Sequence, residues 1–235
     1  MAPYGAHTHS KPLLAKHCLS ALIFSSPHQH DAIGVTKDVN RAYQLAHAGA
    51  QTGCYHCKGA LACCLVHGWG TERDADEGLR LAKESLFGGS KYGNYLWGYC
   101  LLGLGNIDEA VGAKHCNNPK QDSHHAGLYL SAASDLGLVE AHNELAFAYH
   151  SIDAFRDLSD AYRLYCEAAA FGHPAATESA GYCLLRGLGT PVDKVAAARH
   201  LKVAAESGCI GALRLLLECE DASQDTSANK VRAAL

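Results

Sequence analysis

The fold of this chain is indicated by residues 172–208, which read GHPAATESAGYCLLRGLGTPVDKVAAARHLKVAAESG. The stretch begins and ends on glycine, and both glycines belong to a series that runs through the chain. Its members are spaced by 36, 48, 35 and 36 residues: Gly53, Gly89, Gly137, Gly172 and Gly208. A recurrence of this length indicates an internal structural repeat.

Three other positions keep a fixed distance from each glycine of the series. An aspartate lies fifteen residues before it, at Asp38, Asp74, Asp122, Asp157 and Asp193. A residue no larger than alanine lies eleven residues before it, at Ala42, Gly78, Ala126, Ala161 and Ala197. A small residue lies four residues after it, at Cys57, Gly93, Ala141, Ala176 and Ala212. The register of the repeat therefore holds on both sides of the glycine.

These residue types predict a pair of helices in each unit. An aspartate before an apolar-periodic run is a helix N-cap, and a glycine after the run suits a left-handed C-terminal cap. Residues 193–208 are therefore predicted to form a helix B, with Ala197, Leu201, Ala204 and Ala205 on its buried side. A helix A precedes it and ends at the Gly-x-Gly of residues 187–189. We predict that every helix B begins within two residues of its aspartate.

The recurrent small residues determine how these pairs pack. They let the two helices of a unit approach closely, and they favour a single way of stacking successive units. The sequence therefore predicts an all-α fold, a right-handed α-solenoid of stacked antiparallel helix pairs.

A nearly complete unit of a known repeat family matches this chain near its C-terminal end. The matching residues are Ala-Gly-Tyr at 180–182, Gly-Leu-Gly-Thr at 187–190, Asp193 and Ala-Ala-Glu-Ser-Gly at 204–208. The Gly-His-Pro-Ala-Ala junction at 172–176 also matches, as does the turn from Gly70 to Asp74. On these residues the chain resembles Sel-1-like repeats, which are relatives of the tetratricopeptide repeat, over about residues 34–219. The resemblance implies the same helical solenoid.

The repeat register divides the chain into three parts. Residues 34–219 are predicted to be the repeat solenoid, with an insertion at 106–121 and with Ser-Ile-Asp-Ala at 151–154 in place of one Gly-x-Gly. Residues 1–33 are interpreted as an N-terminal extension, a capping helix at 13–24 followed by a loop, with a targeting peptide as the alternative. Residues 220–235 are predicted to be a polar C-terminal tail.

Composition excludes several classes of protein. Hydrophobic residues make up 48% of the chain and charged residues 19%, which is enough apolar surface for a core. The formal net charge is −4 with both signs interspersed, so the sequence predicts no binding of nucleic acid. No apolar run reaches the ~18 residues that a membrane span needs. The fifteen histidines follow no metal-ligand spacing.

The eleven cysteines bear on the redox compartment. In an exported, cysteine-rich branch of the Sel-1-like family, a disulfide joins the position three residues before one glycine to the position five residues after it. Neither position holds a cysteine in any unit here. Instead Cys64, Cys100, Cys183 and Cys219 each lie eleven residues after a glycine of the series, where cysteine acts as a compact apolar filler. We therefore expect eleven free thiols and an intracellular reducing compartment, cytoplasmic or mitochondrial, rather than secretion.

No motif predicts a metal site or catalysis. The densest cluster is Cys54-Tyr55-His56-Cys57 followed by Cys63, Cys64 and His67. Along one helix Cys57 and Cys64 lie about 10 Å apart, too far for one tetrahedral zinc ion. The His115-Cys116 and His124-His125 pairs are weaker metal candidates still. Because no GxSxG, HExxH, P-loop or dinucleotide fingerprint occurs, we expect no cofactor and no enzyme activity.

The remaining candidate site is a surface. In the tetratricopeptide architecture helix A lines a concave groove, so the resemblance implies a partner-binding groove on the A helices. Projection of that geometry selects His56, Cys63, His67, Tyr92, Tyr95, Tyr99, Glu140, Asn143, Phe147, His150, Glu178, Tyr182 and Arg186. Aromatic side chains with polar tips suit peptide recognition. The alternative interpretation is that Tyr95 and some other members of the tyrosine stripe are packing residues.

Two functions stay open, with a third more remote. The leading hypothesis is a non-enzymatic adaptor or scaffold that binds a protein or peptide segment in the groove. The second is an accessory or assembly subunit of a larger complex, a mitochondrial one for example, which docks through the 106–121 insertion and the termini. The remote alternative is a hydrolase activity of the kind suggested for some exported relatives.

Overall fold

The computed structural model describes residues 38–102, 119–152 and 156–219, without the side chains of residues 119–123. The predicted capping helix, the C-terminal tail and most of the 106–121 insertion lie outside these residues. Contacts along the chain group it into two compact units, Met1–Glu144 and Leu145–Leu235. Each unit is described by itself below.

The described residues form helices and no strand, so the predicted all-α class is confirmed. In chain order the helices are α1 Val39–Gln51, α2 Tyr55–His67, α3 Ala75–Leu86, α4 Lys91–Leu101, α5 Pro119–Asp135, α6 Val139–Ser151, α7 Leu158–Ala170, α8 Pro174–Arg186, α9 Lys194–Glu206 and α10, residues 210–219. Odd-numbered helices correspond to the predicted B helices and even-numbered ones to the A helices. Consecutive helices that pack together include α1 to α5 in the first unit and α7 to α9 in the second, and in the first unit α2 also packs on α4.

Four B helices begin directly after the predicted aspartates. The carboxylate of Asp38 accepts a hydrogen bond from the Arg41 amide at 2.8 Å, and that of Asp74 accepts one from Glu77 at 3.0 Å. Asp157 and Asp193 each cap two amides of their own first turns. These interactions satisfy backbone donors that the helix itself leaves without partners.

The fifth start differs from the prediction. Helix α5 begins at Pro119, three residues before Asp122. A proline suits the first helical position because it has no N–H group to leave without a partner. The predicted start within two residues of Asp122 was therefore wrong, and Asp122 lies inside the first turn.

The small residues of the repeat lie where helices cross. Gly78 on α3 is buried against α2, where a Cβ atom would lie 2.6 Å from Val66 Cγ2 and 3.0 Å from the Ala62 carbonyl oxygen. The equivalent alanines are buried as well: Ala42, Ala126, Ala161 and Ala197. Cys64, Cys100, Cys183 and Cys219 are buried apolar fillers, as predicted. The core therefore consists largely of alanine, cysteine and leucine at the helix crossings.

Candidate binding surfaces on the A helices

The predicted groove residues all lie on A helices, at different depths. Cys63, Tyr92 and Tyr95 are buried, and the Cys63 thiol donates a weak hydrogen bond to the Tyr92 carbonyl oxygen at 4.0 Å. These three side chains therefore belong to the core, as the packing interpretation of the stripe held. The half-buried members are His56, His67, Tyr99, Glu140, Asn143, His150, Glu178 and Tyr182, and the exposed ones are Phe147 and Arg186.

The second unit contains a cleft of about 390 Å³ that the A helices α6, α8 and α10 line. Its walls are His150, Ala175, Glu178, Ser179, Tyr182, Arg214 and Leu215. His150, Glu178 and Tyr182 were predicted as groove residues, so the structure brings part of the predicted set together in one concave place.

Stacked rings form one wall of this cleft. The His150 imidazole stacks on the Tyr182 ring with centroids 6.2 Å apart, and it meets Tyr165 edge-on at 6.3 Å. Burial lowers the pKa of His150, and the charge of Arg156 lowers it further, so the neutral imidazole is favoured. The Arg186 guanidinium lies 5.8 Å from the Tyr182 ring centroid. The wall thus offers aromatic faces with polar edges.

Charged groups also line the cleft. Glu178 is hydrogen-bonded to the Cys209 thiol, and burial together with this carboxylate raises the pKa of Cys209. A Cβ atom on Gly211 would overlap the Glu178 carboxylate, so the glycine makes room for it. Among the described residues Arg214 forms no ion pair, whereas Arg186 is paired with Glu218 at 2.7 Å.

Sequence reasoning missed Arg214 and Leu215. The groove positions had been projected from four glycines of the series but not from Gly208. The same offset of six residues that selects Glu178 after Gly172 selects Arg214 after Gly208. The signal for Arg214 was therefore present in the repeat register, whereas none of the projected offsets selects Leu215.

An aromatic surface also lies in the first unit. The Tyr95 and Tyr99 rings stack with centroids 5.6 Å apart, and His67 meets Tyr99 edge-on at 6.2 Å. His67 in turn stacks on Trp69 at 4.4 Å. Trp69 was not predicted, because it lies in the Gly-x-Gly turn rather than on helix A.

Two carboxylates of α6 face these tyrosines. Burial raises the pKa of Glu140 to about 7 and also raises the pKa of Glu144, whose Oε1 accepts a hydrogen bond from Asn143 at 3.2 Å. Burial and then the Glu144 charge raise the pKa of both Tyr95 and Tyr99. This corner of the first unit therefore carries half-buried acidic groups beside aromatic rings.

The described residues give no sign of a metal centre or a membrane span. Nowhere in residues 38–102, 119–152 and 156–219 do three or more His, Cys, Asp or Glu side chains come together as a metal site would require. Within the same segments no helix is both long and apolar enough to cross a bilayer. The nine cysteines found there are free thiols.

A family model described as the Sel1 repeat matches residues 28–54, 60–85, 139–173 and 174–209, which together make up more than half of the chain. The chain belongs to the Sel1 repeat family. Proteins of this family are typically scaffolds for protein–protein interaction. The unmatched residues 86–138 include the predicted insertion, yet α4 and α5 pack there as another helix pair.

One solved structure with a TM-score above 0.5 shares the fold of this Sel1 repeat protein, and two others align less well. A Sel1 repeat protein from Oxalobacter formigenes aligns with a TM-score of 0.59 and 19% identity, over 87% of this chain and 76% of that one. The immunity protein Pa5087 from Pseudomonas aeruginosa aligns with a TM-score of 0.49 and 18% identity, over 90% and 70%. The protective antigen c5321 from uropathogenic Escherichia coli aligns with a TM-score of 0.43 and 20% identity, over 87% of this chain and 48% of that one. This chain therefore spans about half the length of the antigen. No curated protein matches the sequence.

Proposed function

We propose that this Sel1 repeat protein is a non-enzymatic scaffold or adaptor that binds a segment of a partner protein on its A helices. The observation that carries the proposal is the cleft of the second unit, where three A helices provide stacked rings, a carboxylate and an arginine. Concave sites with a few convergent polar groups are where ligands are typically bound. A half-buried aromatic such as Tyr182 is the kind of side chain that dominates binding energy.

A peptide selected from a random library on the immobilised protein tests the proposal. The dissociation constant of that peptide is then compared between the wild type and Tyr182→Ala. We expect the variant to weaken binding about 30-fold, the loss typical of a central aromatic anchor. An unchanged dissociation constant would contradict binding in the cleft.

Phe171→Ala is the matched control. Phe171 is an aromatic residue of the same unit that lies outside the cleft and is exposed at 59%. It should leave the dissociation constant unchanged, and both variants should keep the melting temperature close to that of the wild type. A large fall in melting temperature for Tyr182→Ala would show that the ring is a packing residue instead.

The second candidate, an accessory subunit of a larger complex, is favoured by α10. Its exposed stripe comprises Ile210, Leu213 and Leu217, at 82%, 51% and 62% exposure. The positions on α8 that are equivalent to Leu213 and Leu217 are Thr177 and Gly181. Both are buried, and Gly181 lies against Leu201 of α9. No described helix covers the stripe on α10 in this way.

Replacement of Leu213 and Leu217 by glutamate tests this second candidate. If the stripe docks the protein into an assembly, affinity capture from the native source should lose a stoichiometric set of partners. Tyr182→Ala should retain that set. The scaffold proposal expects the opposite pattern, so the two variants distinguish the two functions.

We also propose an intracellular reducing compartment, cytoplasmic or mitochondrial, for this protein. The support is the use of buried cysteines as apolar fillers at one repeated position. A count of free thiols under denaturing, non-reducing conditions checks it.

A further inference from the structure

One arginine of the cleft in the second unit has no counter-charge. Arg214 of α10 lines the cleft, and it forms no ion pair with any residue that the structure describes. Arg186, near the end of α8, is by contrast paired with Glu218 at 2.7 Å. Because a guanidinium group is not deprotonated in proteins, Arg214 is a permanent positive charge in the wall of the cleft.

The carboxylate that also lines the cleft is stabilised elsewhere. Glu178 lies against Gly211 in the first turn of α10, where a Cβ atom would overlap its carboxylate, and it is hydrogen-bonded to the Cys209 thiol. The N-terminal end of a helix favours a negative charge, because the helix dipole is positive there. Glu178 therefore has its favourable contacts at the start of α10, and it forms no ion pair with Arg214.

The aromatic wall of the cleft does not favour a positively charged ligand. The Tyr182 ring is stacked on the His150 imidazole with centroids 6.2 Å apart, and the Arg186 guanidinium lies 5.8 Å from its centroid. A cationic ligand would therefore approach a ring that already has a cation beside it, and Arg214 would repel it as well. An anionic ligand would be attracted by Arg214.

A hydroxyl group and an apolar surface complete the cleft. Ser179 lies on α8 one turn before Tyr182, and its half-buried hydroxyl makes no hydrogen bond to another described residue. The side chains of Ala175 and of the buried Leu215 provide the apolar contact. The volume of about 390 Å³ lies within the range of ligand-binding clefts. A carboxylate acceptor and a neighbouring apolar side chain suit this lining together.

We propose that the cleft recognises an acidic residue of the partner segment, an aspartate or glutamate beside an apolar residue. The carboxylate of that residue accepts hydrogen bonds from the Arg214 guanidinium and the Ser179 hydroxyl, and the apolar residue packs on Leu215 and Ala175. Carboxylates can accept two parallel hydrogen bonds from one guanidinium group, which favours arginine at such a position. The inference rests on the proposed scaffold function and adds the chemistry of the segment that the cleft selects.

Selection of peptides from a random library on the immobilised full chain tests the preference. Peptides that bind in the cleft are identified as those that Tyr182→Ala weakens. We expect them to be enriched in aspartate or glutamate next to an apolar residue. Replacement of that acid by its amide should weaken binding about fivefold. Enrichment of lysine or arginine instead, or no loss with the amide, would overturn the proposal.

Variants of Arg214 test whether it is the group that meets the acid. Arg214→Gln should weaken the acidic peptide about fivefold, and Arg214→Glu should weaken it further. A peptide with lysine in place of the acid should bind Arg214→Glu more tightly than it binds the wild type. Arg199→Gln is the matched control, because Arg199 is an exposed arginine of the same unit on α9, outside the cleft. It should leave binding of the acidic peptide unchanged.

The outcomes separate this inference from the proposed function. If peptides depend on Tyr182 but show no preference for an acid, or bind the Arg214 variants as they bind the wild type, acid recognition is refuted and the scaffold proposal stands. If Arg199→Gln weakens the acidic peptide as much as Arg214→Gln, the attraction is a general effect of charge and acid recognition in the cleft is refuted. If no peptide is enriched, or none depends on Tyr182, both proposals fail.

Discussion

At the scale of single residues, the second glycine of the Gly-x-Gly turns at 68–70 and 187–189 connects one repeat to the previous one. Gly189 has a φ of +69°, and a Cβ atom there would overlap the backbone carbonyl of Leu158 at the start of α7. Gly70 has a φ of +71° and meets the Val39 carbonyl at the start of α1 in the same way. The turn thus lies directly on the preceding helix B, and only glycine leaves room for this contact.

Gly189→Ala should therefore be strongly destabilising. Gly208→Ala is the matched control, since Gly208 also has a positive φ, +88°, but nothing lies within 4 Å of its Cβ position. Gly208→Ala should lower the free energy of unfolding by about 1–2 kcal/mol, because of the backbone conformation alone. Gly189→Ala should cost at least about 3 kcal/mol, because a backbone carbonyl must also move. Urea unfolding measures both, and equal shifts of the midpoint would show that the close contact contributes nothing.

The second prediction at this scale concerns the effect of Glu140 on stability. Its pKa of about 7 in the folded protein lies above the ordinary value of 4.5, so the folded state binds more protons than the unfolded state between these values. Stability from this group is therefore present at low pH and is lost as the pH rises from about 4.5 through about 7. Glu140→Gln should raise the free energy of unfolding at pH 8 by on the order of 2 kcal/mol.

The pH dependence of thermal stability tests this prediction for Glu140. Thermal unfolding of the wild type and of Glu140→Gln should give a difference that is large at pH 8 and close to zero at pH 4. A variant that is less stable than the wild type at pH 8 would show that the charged carboxylate has a favourable partner.

At the scale of helices, the insertion between α4 and α5 separates two elements that pack directly on each other. Seven residues join α2 to α3, and seven join α8 to α9. Excision of Ile107–Cys116 leaves the same number between Leu101 and Pro119. The melting temperature should change by only a few degrees, because the interfaces between repeats stay intact. A fall of about 10 °C or more would mean that the excised residues pack as core.

The helices show which features a sequence can predict. The N-caps at Asp38, Asp74, Asp157 and Asp193 were predictable because capping is local, involving an aspartate and amides two or three residues later. The predicted start of α5 at Asp122 was wrong because the proline three residues before Asp122 is itself a favourable first residue of a helix. Local chemistry thus placed four helix starts of five.

Depth within the groove was not predictable in the same way. Tyr95 and Tyr99 both lie at projected groove positions, yet Tyr95 is 6% exposed and Tyr99 is half-buried. The difference depends on which neighbouring helices cover each ring, and offsets from a glycine contain no such information. The charge environment of Glu140 likewise comes from groups on α2 and α4, which lie far from it in sequence.

At the scale of the whole molecule, the burial of the cysteines determines how readily their thiols react. Of the cysteines in the described part of the chain, six are buried: Cys57, Cys63, Cys64, Cys100, Cys183 and Cys219. Burial raises the pKa of Cys64 to about 12 and that of Cys183 to about 11, which keeps these thiols protonated and unreactive. In the native protein at pH 8 they should therefore react slowly with a thiol reagent. Reaction should become fast and complete once denaturant exposes them.

The full count under denaturing, non-reducing conditions distinguishes the two redox compartments. If all the cysteines are free thiols, the protein isolated from its native source should titrate close to eleven. A count near one would mean five disulfides, which form in an oxidising compartment, and would refute the intracellular proposal. Such bridges would also have to involve cysteines that the helix crossings bury, so a low count should coincide with a large loss of melting temperature on reduction. A count of eleven with no effect of reductant supports packing as the reason for these cysteines.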